Sequence, residues 1–182
     1  MPELLLLCGS LRQGSTNEAA LRTVRDVLPD GWTAVTYDGM AALPHFNPDD
    51  DHDPLPAEVV QLRDRLRAAD AVLISTPEYA GALPGSFKNL LDWTIGGDEI
   101  YEAPVAWVNI AGPAAPSGGA DAHDSLRKVL SYAHADLVEA ACARVPITRA
   151  DVAPSGLVED AGIRGRLREI VDAIDAHLTA RG

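Results

Sequence analysis

Short apolar runs with strand composition alternate with helix-periodic stretches along nearly the whole chain. Leu4 to Cys8 is apolar without interruption, as expected of a strand buried on both faces. After a polar loop, Ala20, Leu21, Val24, Val27 and Leu28 recur at helical spacing, and Pro29-Asp30-Gly31 ends that helix. Trp32 to Tyr37 and Ala71 to Thr76 read as the second and third strands, with a helix marked by Val59, Leu62, Leu66 and Ala69 between them. Leu83 to Ile95 reads as a helix with Phe87, Leu90 and Leu91 inward. The run PVAWVNIA is a fourth strand, and Leu126, Val129, Leu130 and Ala133 mark a helix after it. Leu137 to Val145 is expected to be a fifth strand. Ile163, Leu167, Ile170, Val171, Ile174 and Leu178 make the last helix.

Strict βα alternation implies a parallel sheet with helices on both faces. Five such units suit the flavodoxin-like α/β order 2-1-3-4-5, a three-layer sandwich whose ligands sit beyond the carboxyl ends of strands 1 and 3. Residues 1–182 are expected to form one domain, with no internal repeat or linker.

Composition narrows the function. The net charge of −12 argues against a general nucleic-acid binder, which needs a basic surface. The apolar run Leu4–Cys8 is far too short to span a bilayer. Glu3 stands where a signal peptide would be basic, so a cytoplasmic protein is expected. Cys8 and Cys142 are expected to be buried free thiols. The run Asp49 to Asp53 lacks the spacing of a calcium loop and reads as a solvated acidic stretch, so no metal site is assigned.

The loop GSLRQGSTN, Gly9 to Asn17, follows the first strand. Its glycine spacing approaches a nucleotide P-loop, yet Ser15 stands where the phosphate-binding lysine belongs. Ser10, Ser15, Thr16, Asn17 and Arg12 offer short donors and one cation, matched to a terminal monophosphate at a helix N-terminus. A plain polar turn in which Ser15 or Thr16 caps the helix is the alternative. The stretch PEYAGALPGSFKNLLDW, Pro77 to Trp93, follows strand 3 in the same way, so the fold brings both loops to one crevice.

As a pair, GSLRQGSTN and PEYAGALPGSFKNLLDW resemble the NADPH-dependent FMN reductase family. The resemblance implies FMN as cofactor and NADPH or NADH as hydride donor. It implies Ser10, Arg12, Ser15, Thr16 and Asn17 as the phosphate grip. It also implies Pro77, Glu78, Tyr79, Ala80 and Gly81 against the isoalloxazine, and Ser117, Gly118 and Gly119 against its pyrimidine side. The family usually has asparagine where this chain has Ala80. The activity implied is hydride transfer through flavin N5 to a flavin, quinone, azo or similar small-molecule acceptor, with no protein nucleophile or general acid assigned. An FMN-bearing electron carrier of flavodoxin type is the alternative. The family also suggests a homodimer or homotetramer. The connection Ala143 to Asp160 is rich in apolar residues that need burial, so this segment, or the helix Leu83 to Ile95, is expected to border a partner's flavin site.

Overall fold

The computed structural model describes residues 1–112 and 115–181. Strands β1 (Glu3–Cys8), β2 (Thr33–Tyr37), β3 (Ala71–Ser75) and β4 (Pro104–Asn109) alternate with helices α1 (Thr16–Asp26), α2 (Ala57–Ala68) and α3 (Gly85–Asp92). Helix α4 (Ala120–Tyr132), the short strands β5 (Asp136–Leu137) and β6 (Ala143–Arg144), and α5 (Ala161–Arg181) complete the chain. The order is β2-β1-β3-β4-β5, every pairing is parallel, and β6 also pairs with β4. This is the doubly wound order expected from the alternation.

The apolar strands are explained by what covers each face. Leu5, Leu7, Val72, Ile74, Val105 and Trp107 pack with side chains of α2, α3 and α4. Their neighbours in sequence, Leu4, Leu6, Ala71, Leu73, Ala106 and Val108, pack with α1 and α5. Alternate residues thus enter different cores, so both faces are apolar up to the carboxyl ends of β3 and β4, where Ser75 and Asn109 stand. Leu4, Leu5 and Leu6 are fully buried, each contributing about 1.5–3 kcal/mol of transfer free energy.

Three expectations need correction. The fifth strand is not continuous. Val138 N–H donates to the Val105 carbonyl at 2.9 Å, and Val145 N–H to the Asn109 carbonyl at 2.8 Å. Between them, Glu139–Ala141 forms a 3₁₀ turn instead of pairing. Arg127 of α4 holds the Glu139 carboxylate and fastens this turn, while Ala141 fills the core. Helix α3 begins at Gly85 rather than Leu83, because Pro84 has the extended backbone of a cap position, at φ −54° and ψ 139°. The acidic run is not wholly solvated: Asp51 pairs with Arg63 of α2 at 2.7 Å, each side chain 9% exposed.

The connection from Ala143 to Asp160 packs on its own sheet. Val145, Ile147 and Val158 are buried in the α1–α5 core, and Val158 N–H donates to Thr23 Oγ1 of α1 at 2.9 Å. Its main apolar side chains are therefore covered within the chain.

Candidate functional site

The carboxyl ends of β1 and β3 meet at the switch point of the sheet. Gly9 N–H donates to the Ser75 carbonyl at 2.9 Å, which draws the first loop onto β3. A Cβ on Gly9 would lie 2.2 Å from Thr76 Oγ1, so only glycine permits this approach. Ser75 Oγ donates to Asn17 Oδ1 at 2.8 Å in the buried interior. That bond fixes the Asn17 amide, leaving its NH₂ group as the free end.

The first loop is pre-shaped by its own polar groups. Ser15 is the N-cap of α1, and its Oγ accepts from Glu18 N–H at 3.1 Å. The Glu18 carboxylate reaches back to Gly14 N–H at 2.8 Å, the reciprocal arrangement of a capping box displaced by one residue. Ser10 Oγ accepts from Arg12 N–H at 3.2 Å. The N–H groups of Thr16 and Asn17, in the first helical turn, have no intrahelical acceptor. The Arg12 side chain is exposed.

The second loop forms a two-residue hairpin. Tyr79 and Ala82 exchange N–H···O bonds of 3.0 and 3.1 Å. Ala80 and Gly81 between them both have positive φ, 52° and 71°. Two central residues at positive φ define a type I′ turn, which favours Asn-Gly. The asparagine that the resemblance implies at position 80 would suit this backbone conformation.

Glu78 links the second loop to the third. Ser117 Oγ lies 2.7 and 2.6 Å from the two Glu78 carboxylate oxygens and donates to them. Ala122 N–H, in the first turn of α4, donates to the same carboxylate at 3.2 Å. The Ser117 hydroxyl, foremost, holds the Glu78 carboxyl below the usual carboxylate range. Asn109, at the end of β4, organises the rest of this loop: its Nδ2 donates to the Gly118 carbonyl and its Oδ1 accepts from Ala111 N–H, both at 2.9 Å. His123 Nδ1 lies 2.6 Å from the Gly119 carbonyl, while its buried Nε2 has no partner among the described residues. Within the loop Ala111 to Asp124, Pro113 and Ala114 lie outside the described residues.

Between these loops lies a crevice of about 250 Å³. Thr16, Asn17, Pro77, Glu78 and Gly119 border it, in agreement with the sequence pattern. Thr76, Asn109, Ile110 and Gly112 border it as well, outside the sequence pattern, and Ile147 does so from the connection expected to border a partner's flavin site. Thr76 and Asn109 carry a readable signal, a polar residue at the carboxyl end of an apolar strand. Ser15 is buried beneath the loop as a cap. Ser10 and Arg12 face a neighbouring cavity on the β2 side. Tyr79, Ala80 and Gly81 stand on an exposed hairpin. Ser117 and Gly118 belong to the loop that Glu78 and Asn109 hold. Burial raises the Cys8 thiol pKa and pushes that of Cys142 to about 11, so neither is a ready thiolate. Among the described residues, no helix is long and apolar enough to cross a membrane.

The chain is similar in sequence and fold to known proteins. An NAD(P)H-dependent FMN reductase of Pseudomonas aeruginosa is 38% identical over 91 residues, which are 50% of this chain and 49% of that protein. The chain therefore matches about half the length of that relative. A quinone reductase of Pseudomonas putida is 30% identical over 162 residues, covering 86% of this chain and 81% of its own. Among solved structures, the flavoenzyme NAD(P)H:(acceptor) oxidoreductase FerB of Paracoccus denitrificans superposes with a TM-score of 0.79 at 27% identity, covering 97% of this chain and 99% of its own. A flavodoxin of Pseudomonas aeruginosa, at 16% identity and a TM-score of 0.60, covers 95% of this chain and 99% of its own and shares the fold. The family profile of NADPH-dependent FMN reductases matches residues 2–147, across both motif loops, and the chain belongs to that family.

Proposed function

We propose that this protein is an FMN-dependent NAD(P)H oxidoreductase acting on a small-molecule acceptor such as a quinone, an azo compound or a second flavin. The observation that carries this reading is the crevice at the switch point, bounded by both motif loops and pinned by the Ser75–Asn17 hydrogen bond. The donor set fits a flavin mononucleotide. The first-turn N–H groups of Thr16 and Asn17, the hydroxyls of Ser10 and Thr16, and the Arg12 guanidinium match a dianionic phosphate. Pro77, Ile110 and Ile147 supply apolar wall for a flat ring, and backbone groups of the second and third loops supply its polar edge.

FMN, when bound, supplies acceptance of hydride from a nicotinamide at N5 and its transfer to the acceptor. The chain's own work is anchoring, orientation and exclusion of water. Glu78 acts as a clasp between the second and third loops and not as a proton donor, because its carboxylate is engaged and kept ionised. Tyr79 and Leu11, each 56% exposed on the two motif loops, would be covered in a homodimer or homotetramer. Such cover would also protect reduced flavin from wasteful reaction.

Reconstitution with FMN followed by anaerobic titration with NADPH and with NADH tests the activity. Bleaching of the visible flavin bands by either donor, and their return on adding a quinone, is the expected result. A bound flavin that neither donor reduces would instead identify an electron carrier. Failure to bind FMN at all would remove the reading.

A further inference from the structure

His123 is a buried titratable group for which the flavin chemistry has no use. It lies on α4, 7% exposed, with its ring centroid 6.0 Å from that of Trp107. Its Nδ1 is 2.6 Å from the Gly119 carbonyl, and a carbonyl only accepts, so Nδ1 carries the proton. Nε2 is then the bare nitrogen of a neutral ring, enclosed and without a partner among the described residues. A second proton would place a charged N–H there with no acceptor. A buried unpaired charge is far costlier than a buried bare nitrogen.

The charges around the ring do not remove that cost. Glu78 of the second loop and Asp124 of α4 favour the protonated form, as does the Gly119 carbonyl, yet burial outweighs all three. Arg127 of α4 and Arg144 of β6 border the same cavity, of about 240 Å³, and bear the sign that opposes a second cation. Arg127 is itself held by Glu139. The Cys142 thiol on that cavity is neutral, its pKa pushed up to about 11.

The bond that His123 makes ends a chain reaching the crevice. Gly119, at φ 77°, caps α4 and borders the crevice. Its N–H donates to Ser117 Oγ at 3.0 Å, and that hydroxyl donates to Glu78. The fit is close, since a Cβ on Gly119 would lie 2.7 Å from Asn109 Oδ1. One peptide thus joins the imidazole to the clasp between the second and third loops. A protonated ring must leave its enclosed place for water, and the Gly119 carbonyl then loses its side-chain donor.

We infer that His123 is a positioning residue for the third loop and that flavin affinity follows the protonation state of its imidazole. The neutral ring holds Gly119 in place at the crevice, and the protonated ring releases it. The inference rests on reading the crevice as the flavin site. Linkage fixes the sign: flavin binding favours the neutral ring, so affinity falls as pH falls, and the imidazole pKa is lower with flavin bound than without.

The test is calorimetric titration of FMN into flavin-free parent, His123→Gln and His123→Leu between about pH 7.5 and 5. The FMN phosphate takes up a proton of its own near roughly pH 6, a contribution common to all three proteins that the comparison cancels. The His123→Gln amide still donates but does not titrate, so this variant should match the parent at the upper end of the range. Relative to it, the parent should lose about 2- to 10-fold in affinity toward the lower end. His123→Leu, which lacks the donor, should bind about 2- to 10-fold more weakly throughout. An NMR titration of the parent's imidazole, with and without FMN, is the second measurement and needs no variant. Its pKa should be lower in the complex. An equal imidazole pKa in the two states, or the same decline in the parent and His123→Gln, would overturn the inference and leave the FMN reading intact. Failure of the parent to bind FMN at any pH in the range would overturn both.

Discussion

Ser117 Oγ donates to the Glu78 carboxylate at 2.6–2.7 Å, joining two loops 39 positions apart in sequence. The pair closes the crevice on the side of α4, and the N–H of Ala122 completes it. Ser117→Ala should therefore loosen the third loop without removing a core side chain. The expected outcome is faster amide exchange over residues 115–122 and FMN affinity about 3- to 10-fold weaker, with little change in the thermal midpoint. Exchange mass spectrometry with and without FMN checks this. Unchanged protection in the variant would mean the loop is held by Asn109 alone.

Beneath this clasp sits His123, whose imidazole pKa burial lowers from its ordinary 6.5, against opposing effects of the Gly119 carbonyl and Glu78. The unfolded chain then binds a proton more readily than the folded one. Stability is full above pH 6.5 and is lost as pH falls through 6.5 toward the lower folded value. Glu78, Glu139 and Asp151, all held below their ordinary values, lose their contributions only further into acid. His123→Gln should flatten the first part of this decline and leave the second. Urea midpoints measured between about pH 7.5 and 3.5 give the comparison. A parallel decline in both proteins would exclude His123 as its source.

The type I′ turn at Ala80-Gly81 carries a different expectation. Alanine at φ 52° is strained, by roughly 1–2 kcal/mol, whereas asparagine accepts this region more easily. Ala80→Asn should stabilise the fold by about 0.5–1 kcal/mol, a rise of about 1–4 °C in Tm for a chain of this size. Differential scanning calorimetry checks it. A fall in Tm would show that the neighbourhood of the hairpin rejects the larger side chain.

The sheet was legible because its central strands are buried on both sides and leave continuous apolar runs, as Leu4–Leu7 and Ala71–Ile74 do. The interrupted last strand was not. Val138 and Ala141 are buried like strand residues, and composition does not distinguish a 3₁₀ turn from a pairing strand. Asp51 looked solvated because its partner, Arg63, lies on another element, and only folding brings the carboxylate to the guanidinium that also donates to the Trp93 carbonyl. At the site, the loops announced themselves through small polar residues and glycines. Asn109 and Thr76 escaped because each follows an apolar strand and reads as its terminator. Their roles come from contacts that the strand pattern does not encode, Asn109 with Gly118 in the loop that follows it and Thr76 with Gly9 in the first loop.

The phosphate grip is the centre of the account, and two charges near it should act in opposite directions. Arg12 is exposed and Glu18 lies against the loop at Gly14 N–H. Calorimetric titration of FMN and riboflavin into the parent, Arg12→Ala and Glu18→Gln at low ionic strength measures both. Arg12→Ala should weaken FMN about 10- to 150-fold, the loss of a charge-assisted hydrogen bond of roughly 1.5–3 kcal/mol. Glu18→Gln should tighten it about 2- to 5-fold, because a like charge near the phosphate is removed and the amide oxygen still accepts from Gly14. Riboflavin, which lacks the phosphate, should be indifferent to both changes. FMN affinity unaltered by Arg12→Ala and by Glu18→Gln would contradict the assignment of this loop to the flavin phosphate.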